Sequence, residues 1–584
     1  MYDLLIQNAW IVDGTGKDKY LADIAIKDGK IQKIGALGDA SAEKIIDAAE
    51  RHVTPGFIDP HAHSDMSLLV WPKNEAFTLQ GVTTQICGNC GLSAAPIGDE
   101  FWEFWCWEYA SMNKIHKSLF DPYDFQTPKK EEMLKELKET YGIDVNWKTL
   151  GEFMDLAEST GISCNYYPLS GHNHIRNAVM GKEARVANEE ELEKMKAILR
   201  EEMEHGSQGF STGLDYAPGR FADMAELEAL INVALEYGGV YNSHVRGFDP
   251  ENPAVFNQVY GIAEATELCR RTGVKTNIAH MAPIFRYEPA DNPEMDLAVA
   301  KATVYELERG WREEGLPIMY DVIANPAMGG STLPHLAALM RPWVLMCGSL
   351  DEFMARLEFE DFVTMIKTQV DEGKGMILSA KMFNPDKLIT IATCTEKKFE
   401  GKTLAKIMKE EKITHLVDAV LAVLKADPYA GLSLQLADSD ACIDILLSSE
   451  RSMPSSDGFA FDLDTFLDLP YPLHRRPHPN NYCYAVRHLL HYGGPRFEDK
   501  VKQMTGIPAA WFNLDKRGTL EEGNWADIVV IDLPNLATNE DPIDPGKAPD
   551  GIDYVIVNGV IAAAYKKHTG ALAGKVLRNT KRRS

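Results

Sequence analysis

The chain has 584 residues, of which 45% are hydrophobic and 25% charged, and its net charge is −26. This composition is typical of a globular protein with ample material for a core, and the length exceeds that of one ordinary domain. The negative charge argues against a nucleic-acid partner and against binding to an anionic membrane surface, because phosphate binding requires clustered Lys and Arg.

The N-terminus and the cysteines bear on the cellular compartment. The first ten residues, MYDLLIQNAW, contain no basic region before an apolar stretch and do not resemble a signal peptide. No run of 18 apolar residues occurs, so the sequence predicts no transmembrane helix. Nine cysteines, an odd number spread over a long chain, favour a reducing compartment over a disulfide framework. We therefore predict a cytoplasmic protein.

Both ends of the chain carry short alternating apolar segments. Near the N-terminus these are DLLIQNAWIVDG and ADIAIKDGKIQKIGAL, and the Asp-Gly pair inside the second is a strong hairpin signal. Near the C-terminus, GTLEEGNWADIVVIDL and IDYVIVNGVIAAAY have the same character, with Asn558 and Gly559 as a further turn. We predict that the two ends pair into one small β domain whose strand edges cover each other.

Between the two ends, short apolar runs alternate with longer amphipathic stretches. NEEELEKMKAILREEMEH and DMAELEALINVALEYG have apolar residues at helical spacing, whereas PGFIDP, GVTTQICG and GGVYNSH are typical of buried strands. Strands that alternate with helices indicate βαβ units and a parallel sheet. Seven or eight such units favour a closed barrel, and the lack of a Gly-x-Gly-x-x-Gly motif after the first strand argues against a dinucleotide-binding fold.

The domain organisation follows from this change of pattern. We expect the barrel to take residues 55–505 and the terminal β segments to take residues 1–54 and 506–584. Two stretches, near 99–145 and near 341–393, fit the barrel poorly, and the first is dense in aromatic residues. We interpret them as insertions that either provide ordinary packing, within the chain or between subunits, or cover the active site as a lid.

Six candidate metal ligands fall at predicted strand ends or in turns that follow them. In a barrel of this kind the active site forms at the C-terminal ends of the strands and uses residues from several of them. Side chains two residues apart on a strand point to the same side, as in the His-x-His that follows GFID. Imidazoles, a thiol and a carboxylate can hold Zn²⁺ with one position open for water. The six residues are His61, His63, Cys90, His244, His280 and Asp457.

Each of these residues also has a structural alternative. A histidine at a strand end is more often a hydrogen-bonded core residue than a ligand, and Asp457, which precedes a glycine, could cap a turn. Cys87 and Cys90 could form a redox pair, or Cys90 could be a small buried hydrophobic residue. The joint placement of all six favours the metal site, because unrelated residues would fall on helices as well.

These motifs together resemble the amidohydrolase superfamily and, within it, the N-acyl-D-amino-acid deacylase (D-aminoacylase) family. The resemblance is carried by PGFIDPHAHSD, QGVTTQICGNCGLSAAP, GFSTGLDYAPG, EYGGVYNSHVR, SSDG, RPHPNNY and KRGTLEEGNWADIVVID, which span nearly the whole chain. GNCG and GFSTGLDYAPG are specific to this branch, whereas His-x-His is shared across the superfamily. The resemblance implies an α/β fold: a metal-dependent (β/α)8 TIM-type barrel with a small β-sandwich formed by the N- and C-terminal segments.

The resemblance also implies how the ligands are divided. One Zn²⁺ would be held tightly by a thiolate and two imidazoles, from Cys90, His244 and His280. A second, weaker metal position would be formed by His61 and His63. In relatives with two tightly bound metals a carboxylated lysine often bridges them, and here Cys90 would take the bridging place.

Asp457 is implied as a metal ligand and as the catalytic carboxylate. A bound zinc polarises a carbonyl group and lowers the pKa of its water towards about 7. A neighbouring carboxylate can take the proton of that water and pass it to the departing nitrogen. We therefore predict hydrolysis of a non-peptide amide C–N bond in a small molecule. Cys87 lies three residues before Cys90 and points to the other side of the strand, so we predict that only Cys90 is a ligand.

The segments that would line the substrate pocket depart from the family pattern. The family usually carries a basic residue after the strand of His280 and a tyrosine after the next strand, where this chain has HMAPI and IANPAMGGSTL. Tyr216, Arg246 and His172 remain candidate substrate contacts, and a structural salt bridge is the alternative for Arg246. With the aromatic insertion near Trp102, these departures predict a bulkier or less polar substrate than an N-acetyl-D-amino acid.

Two other functions stay open on the sequence alone. One is hydrolysis of a cyclic amide, an imide or a lactone, which other branches of the superfamily perform. The other is a metal-free scaffold that keeps the barrel without catalysis, and its signature would be the loss of ligands. All six candidate ligand positions are filled in this chain. The predicted partner is a small-molecule amide, with no nucleic acid and no membrane, and a homo-oligomer is left open.

Overall fold

The computed structural model describes most of the chain. The described ranges are 1–98, 130–181, 183–215, 217–247, 258–285, 292–326, 336–372, 385–434, 439–463, 479–540 and 546–581. Tyr216, residues 99–129 of the first predicted insertion and residues 373–384 of the second lie outside these ranges.

The first five strands are β1 (Tyr2–Ile11), β2 (Tyr20–Lys27), β3 (Lys30–Gly35), β4 (Ala42–Asp47) and β5 (His52–Pro55). β1 pairs antiparallel with β2 and parallel with β4 and β5, and β2 pairs antiparallel with β3. Asp28 and Gly29 connect β2 to β3 with φ values of 51° and 75°. A two-residue hairpin loop of type I′ requires positive φ at both positions, so the predicted Asp-Gly hairpin is confirmed.

The middle of the chain contains a series of short strands. They are β6 (Phe57–Asp59), β7 (Val82–Cys87), β8 (Asn165–Pro168), β9 (Ser170–Gly171), β10 (Gly209–Gly213), β11 (Val240–His244), β12 (Thr276–Ile278), β13 (Ile318–Ile323), β14 (Ile389–Thr393), β15 (Gly431–Leu434) and β16 (Ser452–Ser455). β14 and β15 pair only with each other, in antiparallel orientation. The other nine form two parallel sheets, of three and six strands, as the alternating pattern predicted.

The two parallel sheets follow each other in chain order. The first has the order β6-β7-β8 and the second the order β9-β10-β11-β12-β13-β16, and only Leu169 separates β8 from β9. The segment after β16 returns to the segment after β6, where Ala62 and Gly458 form a parallel bridge. The backbone N–H of Asp457 donates to the carbonyl of His61 at 2.9 Å, which ties the same two segments. The C-terminal ends of the first and last parallel strands are therefore neighbours.

Apolar side chains from several parallel strands share one core. Ile58 on β6, Ile86 on β7, Val240 on β11, Met319 on β13 and Met453 on β16 belong to a single buried cluster. Trp511 and Phe512 of a C-terminal helix pack into the same cluster. Side chains of strands that are distant along the chain thus share one hydrophobic core.

The described ranges contain twenty α-helices. They are α1 (Ser67–Val70), α2 (Glu75–Thr78), α3 (Lys130–Tyr141), α4 (Leu150–Thr160), α5 (His172–Met180), α6 (Glu189–Glu204), α7 (Met224–Glu236), α8 (Gln258–Thr272), α9 (Pro293–Leu307), α10 (Arg309–Glu314), α11 (Arg341–Cys347), α12 (Leu350–Arg356), α13 (Glu360–Asp371), α14 (Pro385–Leu388), α15 (Leu404–Glu411), α16 (Leu416–Ala426), α17 (Asp440–Leu447), α18 (Asn480–His491), α19 (Phe497–Met504) and α20 (Gly506–Trp511). These are the helices of the described ranges, and none of them is long and apolar enough to cross a bilayer. The cytoplasmic location stays a prediction.

The two amphipathic stretches singled out in the sequence form the predicted helices α6 and α7. α6 begins with a capping box, in which the Asn188 side chain accepts from the N–H of Glu191 and the Glu191 side chain accepts from the N–H of Asn188. Asp223 caps α7 by accepting from the backbone N–H of Glu226. α7 packs against β10 and β11, α6 packs against α7 and β9, and Leu199, Leu227 and Phe210 lie in one buried cluster. These helices cover the outside of the parallel strands.

Residues between β13 and β16 form a second, separate hydrophobic core. It extends from Leu336 to Ala430, and Trp343, Phe353 and Ile366 are among its buried members. The described residues of the insertion predicted near 341–393 fall inside this range of the chain. The domain limits themselves stay predictions.

The C-terminal strands are β17 (Ile528–Ile531), β18 (Ile552–Val557), β19 (Val560–Ala564) and β20 (Lys567–His568). β17 pairs antiparallel with β5 and with β18, so both ends of the chain share one nine-stranded sheet. Asn558 and Gly559 form the predicted turn between β18 and β19, with φ values of 48° and 81°. Ile6, Ile24 and Ile528 lie in one core that combines both ends. The predicted pairing of the two termini is confirmed.

Candidate metal centre

The structure brings all six predicted ligands to one edge of the parallel strands. His61 and His63 follow β6, Cys90 follows β7, His244 ends β11, His280 follows β12 and Asp457 follows β16. The first three are buried, whereas the side chains of His244 and Asp457 keep exposed fractions of 21% and 14%. His244, His280 and Asp457 therefore keep more accessible surface than the other three.

The thiol of Cys90 contacts three histidines. Its Sγ lies 3.3 Å from His61 Nε2, 3.4 Å from His280 Nε2 and 3.5 Å from His244 Nδ1. The His280 ring also lies against the other two, with centroid distances of 4.9 Å to His61 and 4.5 Å to His244. Four side chains from four different strands thus converge on one point.

Asp457 completes the cluster from the side of β16. Its Oδ1 lies 3.0 Å from His63 Nε2 and 3.4 Å from His61 Nε2. One ligand atom from each of His61, Cys90, His280 and Asp457 lies within 4.8 Å of all the others. These four residues therefore lie close enough together to form a candidate metal site.

The donor set and its spacing fit a divalent metal ion. Bonds of about 2.0–2.1 Å to nitrogen or oxygen and about 2.3 Å to sulfur, at tetrahedral angles, separate N and S ligands by about 3.6 Å. The same geometry separates N and O ligands by about 3.4 Å. The distances from Cys90 to the histidines and from His61 to Asp457 lie close to these values. Thiolate and imidazole are ligands that suit transition metals better than Mg²⁺ or Ca²⁺.

The electrostatics of the cluster favour the ligand form of the thiol. Burial alone would raise the pKa of Cys90, but the positive charges of His61, His280 and His63 outweigh it and hold this pKa well below its usual range. Burial lowers the pKa of His63 and His244, yet contacts with the thiolate and with carboxylates raise both to about 10. A thiolate surrounded by protonated imidazoles is an arrangement in which a cation can replace several protons.

Three of the predicted ligands have a left-handed backbone. The φ values are 55° at Cys90, 37° at His280 and 51° at Asp457. Such conformations are uncommon for residues with a side chain and cost on the order of 1–3 kcal/mol each, so they persist where the surroundings enforce them. Their coincidence at three strand ends marks the cluster as a place where the fold holds side chains in strained positions.

The glycines of GNCG are required by the tight turn that presents Cys90. Gly88 and Gly91 both have positive φ, of 76° and 72°. A Cβ atom on Gly88 would lie 2.1 Å from the carbonyl oxygen of Leu169, and one on Gly91 would lie 2.7 Å from the backbone nitrogen of Gly213. Both distances are shorter than any van der Waals contact, so only glycine fits on either side of Asn89 and Cys90.

Sequence reasoning missed a carboxylate on β13 that supports two ligands. Asp321 Oδ1 accepts from the backbone N–H of His280 at 2.9 Å, and its Oδ2 lies 3.5 Å from His61 Nδ1. Burial raises the pKa of Asp321, but the positive charges of His61 and His280 outweigh it and lower this pKa below its usual value. The available signal was an acidic residue inside the apolar run IMYDVI, which a buried strand tolerates only when the charge has partners.

Two further carboxylates behind the ligands were also missed. Asp59 accepts from the backbone N–H of His61 at 3.2 Å and from the Ser456 hydroxyl at 2.5 Å, and burial raises its pKa to about 7. Asp215 Oδ2 lies 3.3 Å from His244 Nε2, so the opposite ring nitrogen faces Cys90. A carboxylate on the far side of a ligating histidine fixes its tautomer and ring orientation.

The predicted substrate contacts have mixed positions. Tyr216 lies outside the described residues. Arg246 is 4% exposed, and its Nε donates to both oxygens of Glu264 at 3.0 and 3.1 Å. His172 is fully buried at the start of α5, where its Nε2 lies 2.8 Å from a carboxylate oxygen of Glu226. Their roles as substrate contacts stay predictions.

A family comparison agrees with these observations. Residues 44–291 match the Amidohydrolase family. This segment includes five of the six predicted ligands and extends from β4 to the residues after β12.

Curated relatives and solved structures extend the similarity over the whole chain. N-acyl-D-glutamate deacylase of Alcaligenes xylosoxydans xylosoxydans is 27% identical over 95% of this chain and 93% of its own length. D-aminoacylase of the same organism is 26% identical over 99% of this chain and 98% of its own. The crystal structure of N-acyl-D-glutamate deacylase from Bordetella bronchiseptica, complexed with zinc and a phosphonate inhibitor, is 26% identical and covers 99% of both chains with a TM-score of 0.67. The resemblance to D-aminoacylases is confirmed.

Proposed function

We propose that this chain, an amidohydrolase similar to the D-aminoacylases, is a metal-dependent hydrolase of a non-peptide amide C–N bond in a small molecule. The observation that carries the proposal is the convergence of Cys90 with three histidines at 3.3–3.5 Å, beside the carboxylate of Asp457. Relatives of the same length are deacylases, and one of them is solved with zinc and an inhibitor that mimics a tetrahedral intermediate. A filled set of six ligands favours an enzyme over a metal-free scaffold.

We assign the metal as zinc, held tightly by Cys90, His244 and His280. The thiolate and imidazole donors support this assignment, because soft and borderline ligands select zinc over Mg²⁺ or Ca²⁺. His61 and His63 form the proposed second, weaker position. When bound, the metal polarises the amide carbonyl and lowers the pKa of water at the site.

Asp457 is the proposed general base and general acid. Burial raises the pKa of Asp457, but its contact with His63 and the charges of His280 and His61 outweigh it, so the carboxylate stays ionised at neutral pH. Its Oδ1 already contacts His63 Nε2, and its side chain is among the more exposed of the six. An ionised and partly exposed carboxylate can accept the proton of the attacking water and return it to the departing amine.

The fold supports this placement of the chemistry. We infer that the parallel strands β6 to β13 and β16 close into a (β/α)8 TIM-type barrel, with β8 and β9 sharing one strand position. The bridge between Ala62 and Gly458 supports closure, and the active site of such a barrel lies at the C-terminal strand ends. We also infer that the nine-stranded terminal sheet forms the small β-sandwich, since residues of both ends share one core.

The proposed substrate is a linear N-acyl compound with an apolar or aromatic group. Arg246 is the candidate carboxylate contact that lies among the described residues. Its guanidinium donates hydrogen bonds to Glu264 and to the backbone carbonyls of Arg220 and Ala222. A substrate carboxylate would have to compete with these buried partners. This observation favours N-acyl compounds and amides that carry no carboxylate over N-acyl-D-amino acids.

The test combines metal content with turnover of a substrate panel. Purified protein should carry at least one zinc per chain, and chelation should abolish hydrolysis that added zinc restores. The panel comprises N-acyl-D- and N-acyl-L-amino acids and neutral aryl amides, with release of the free amine as the readout. A chain that binds zinc yet hydrolyses no amide of the panel, nor a cyclic amide, would contradict the proposal.

A further inference from the structure

We propose that Asp321 is a positioning residue of the metal centre, which holds the His61 ring and the His280 backbone where metal binding requires them. The inference rests on the proposed function, because it concerns how the same centre is built. Asp321 lies on β13, between β12 and β16, and has no exposed surface. Neither the ligand pattern nor the resemblance assigns it a role.

The Asp321 carboxylate uses both of its oxygens. Oδ1 accepts from the backbone N–H of His280 at 2.9 Å, and Oδ2 accepts from Asn277 Nδ2 at 2.6 Å. The same Oδ2 lies 3.5 Å from His61 Nδ1. One side chain thus connects two predicted metal ligands that come from different strands, β6 and the end of β12.

The first effect is on the backbone of His280. The chain turns sharply after β12, and His280 has a φ of 37°. Two consecutive N–H groups in this turn donate to Asp321: that of His280 to the carboxylate and that of Met281 to the backbone carbonyl, at 2.7 Å. These two bonds hold the left-handed conformation, and that conformation brings His280 Nε2 to 3.4 Å from Cys90 Sγ.

The second effect is on the ring of His61. Its Nε2 faces Cys90 and Asp457, whereas its Nδ1 is buried and faces Asp321. A carboxylate next to Nδ1 favours the tautomer with the proton on Nδ1, which leaves the lone pair of Nε2 for a metal. Asp321 therefore sets the tautomer and the direction of one ligand while it fixes the backbone of another.

Asp527 provides a matched control. It is a buried carboxylate with several partners, which include Arg517, the backbone N–H of Asn558 and the side chain of Asn165. None of these residues is a candidate metal ligand. Substitution of Asp527 should therefore reduce stability without changing the metal centre.

The experiment compares wild type, Asp321→Asn, Asp321→Ala and Asp527→Asn. Zinc affinity is measured by competition with a chromogenic chelator, and the ligand field by the visible spectrum of the Co²⁺-substituted protein. In Asp321→Asn the side-chain oxygen can still accept a hydrogen bond from the backbone N–H of His280. The new amide NH₂ group then faces Asn277 Nδ2, so that two donors meet and one hydrogen bond is lost. We expect the zinc dissociation constant to rise 10- to 100-fold and the Co²⁺ spectrum to change, as is typical when a carboxylate behind a ligand is lost.

The outcomes separate this inference from the proposed function. If wild type binds zinc and Asp321→Asn keeps both its affinity and the Co²⁺ spectrum, the positioning role is overturned. The same holds if Asp527→Asn loses zinc to the same extent, because the effect would then be general destabilisation. If Asp321→Ala does not fold, Asp321→Asn decides alone. A wild-type chain that binds no divalent metal overturns the proposed function itself.

Discussion

His63 Nε2 lies 3.0 Å from Asp457 Oδ1, and the two residues come from opposite ends of the parallel-strand series. Two contacts position Asp457, because its backbone N–H also donates to the carbonyl of His61. Asp457 has a left-handed backbone, with Gly458 directly after it. The first and last parallel strands therefore have to be neighbours for Asp457, the proposed catalytic carboxylate, to face the predicted ligands.

Asp457→Asn should separate metal binding from catalysis. The amide keeps the shape of the side chain but cannot accept a proton, so we expect kcat to fall about 10²- to 10⁴-fold. The tight metal should remain, because Cys90, His244 and His280 are unchanged. Metal analysis and steady-state kinetics on the same preparation check both expectations. A variant with near-normal turnover would show that another group transfers the proton.

Cys90→Ala should lose the tight metal, whereas Cys87→Ala should keep it. Cys90 Sγ contacts three histidines, and Cys87 ends β7 within the main hydrophobic core. Zinc per chain after dialysis, measured by atomic absorption, distinguishes the two variants. Circular dichroism serves as the control for folding. Full zinc retention in Cys90→Ala would refute the ligand assignment.

Much of the fold could be predicted from local patterns. A two-residue turn requires positive φ at both positions, and Asp, Asn and Gly tolerate positive φ. The Asp-Gly and Asn-Gly pairs could therefore be predicted as turns. The helices α6 and α7 form where apolar spacing coincides with an Asn or Asp cap. The extent of the second core, from Leu336 to Ala430, was not predicted, because an apolar helix face does not show in the sequence which other helices it packs against.

The candidate ligands could be named from the sequence, whereas the residues that contact them could not. His61, Cys90 and His280 could be singled out because imidazole and thiol side chains that follow several strands together are typical of a metal site. Asp321 and Asp59 are ordinary aspartates in sequence, and only the parallel pairing of their strands brings them behind the histidines. A residue that acts through another ligand leaves no motif of its own, since its role is defined by contacts across strands.

Glu202→Gln should stabilise the protein, increasingly so at higher pH. Glu202 lies on α6 with an exposed fraction of 1%, and burial raises its pKa from 4.5 to about 8. Between these two values the folded state binds a proton that the unfolded state has released. The stability of wild type therefore falls as the pH rises towards 8.

Glutamine removes this ionisation, so the stability difference between variant and wild type should grow with pH. The expected growth is roughly 1.4 kcal/mol per pH unit between about pH 5 and pH 8. Urea denaturation at several pH values measures it, and Glu201→Gln, at the exposed neighbouring position, is the matched control. A pH-independent difference would show that Glu202 keeps the same protonation state in both forms of the chain.

The hydrogen-bond partners of Arg246 lead to a prediction about the substrate. Its Nε pairs with Glu264, Nη1 donates to the carbonyl of Arg220 at 2.6 Å, and Nη2 donates to that of Ala222. A substrate carboxylate that lacks a charge-assisted partner loses about 1.5–3 kcal/mol, or roughly ten- to a hundred-fold in affinity. We therefore expect N-acetyl-D-amino acids to be poorer substrates than neutral amides with an aromatic group.

Values of kcat/KM for N-acetyl-D-amino acids and for neutral aryl amides, on the same zinc-loaded preparation, decide between the two classes. Arg246→Gln is the accompanying variant. If Arg246 has only structural partners, Arg246→Gln should lower kcat/KM for both substrate classes by the same factor. The ratio of the two kcat/KM values then does not depend on the charge of Arg246. A strong preference of wild type for N-acetyl-D-amino acids, lost in Arg246→Gln, would show instead that Arg246 leaves Glu264 to bind the substrate carboxylate.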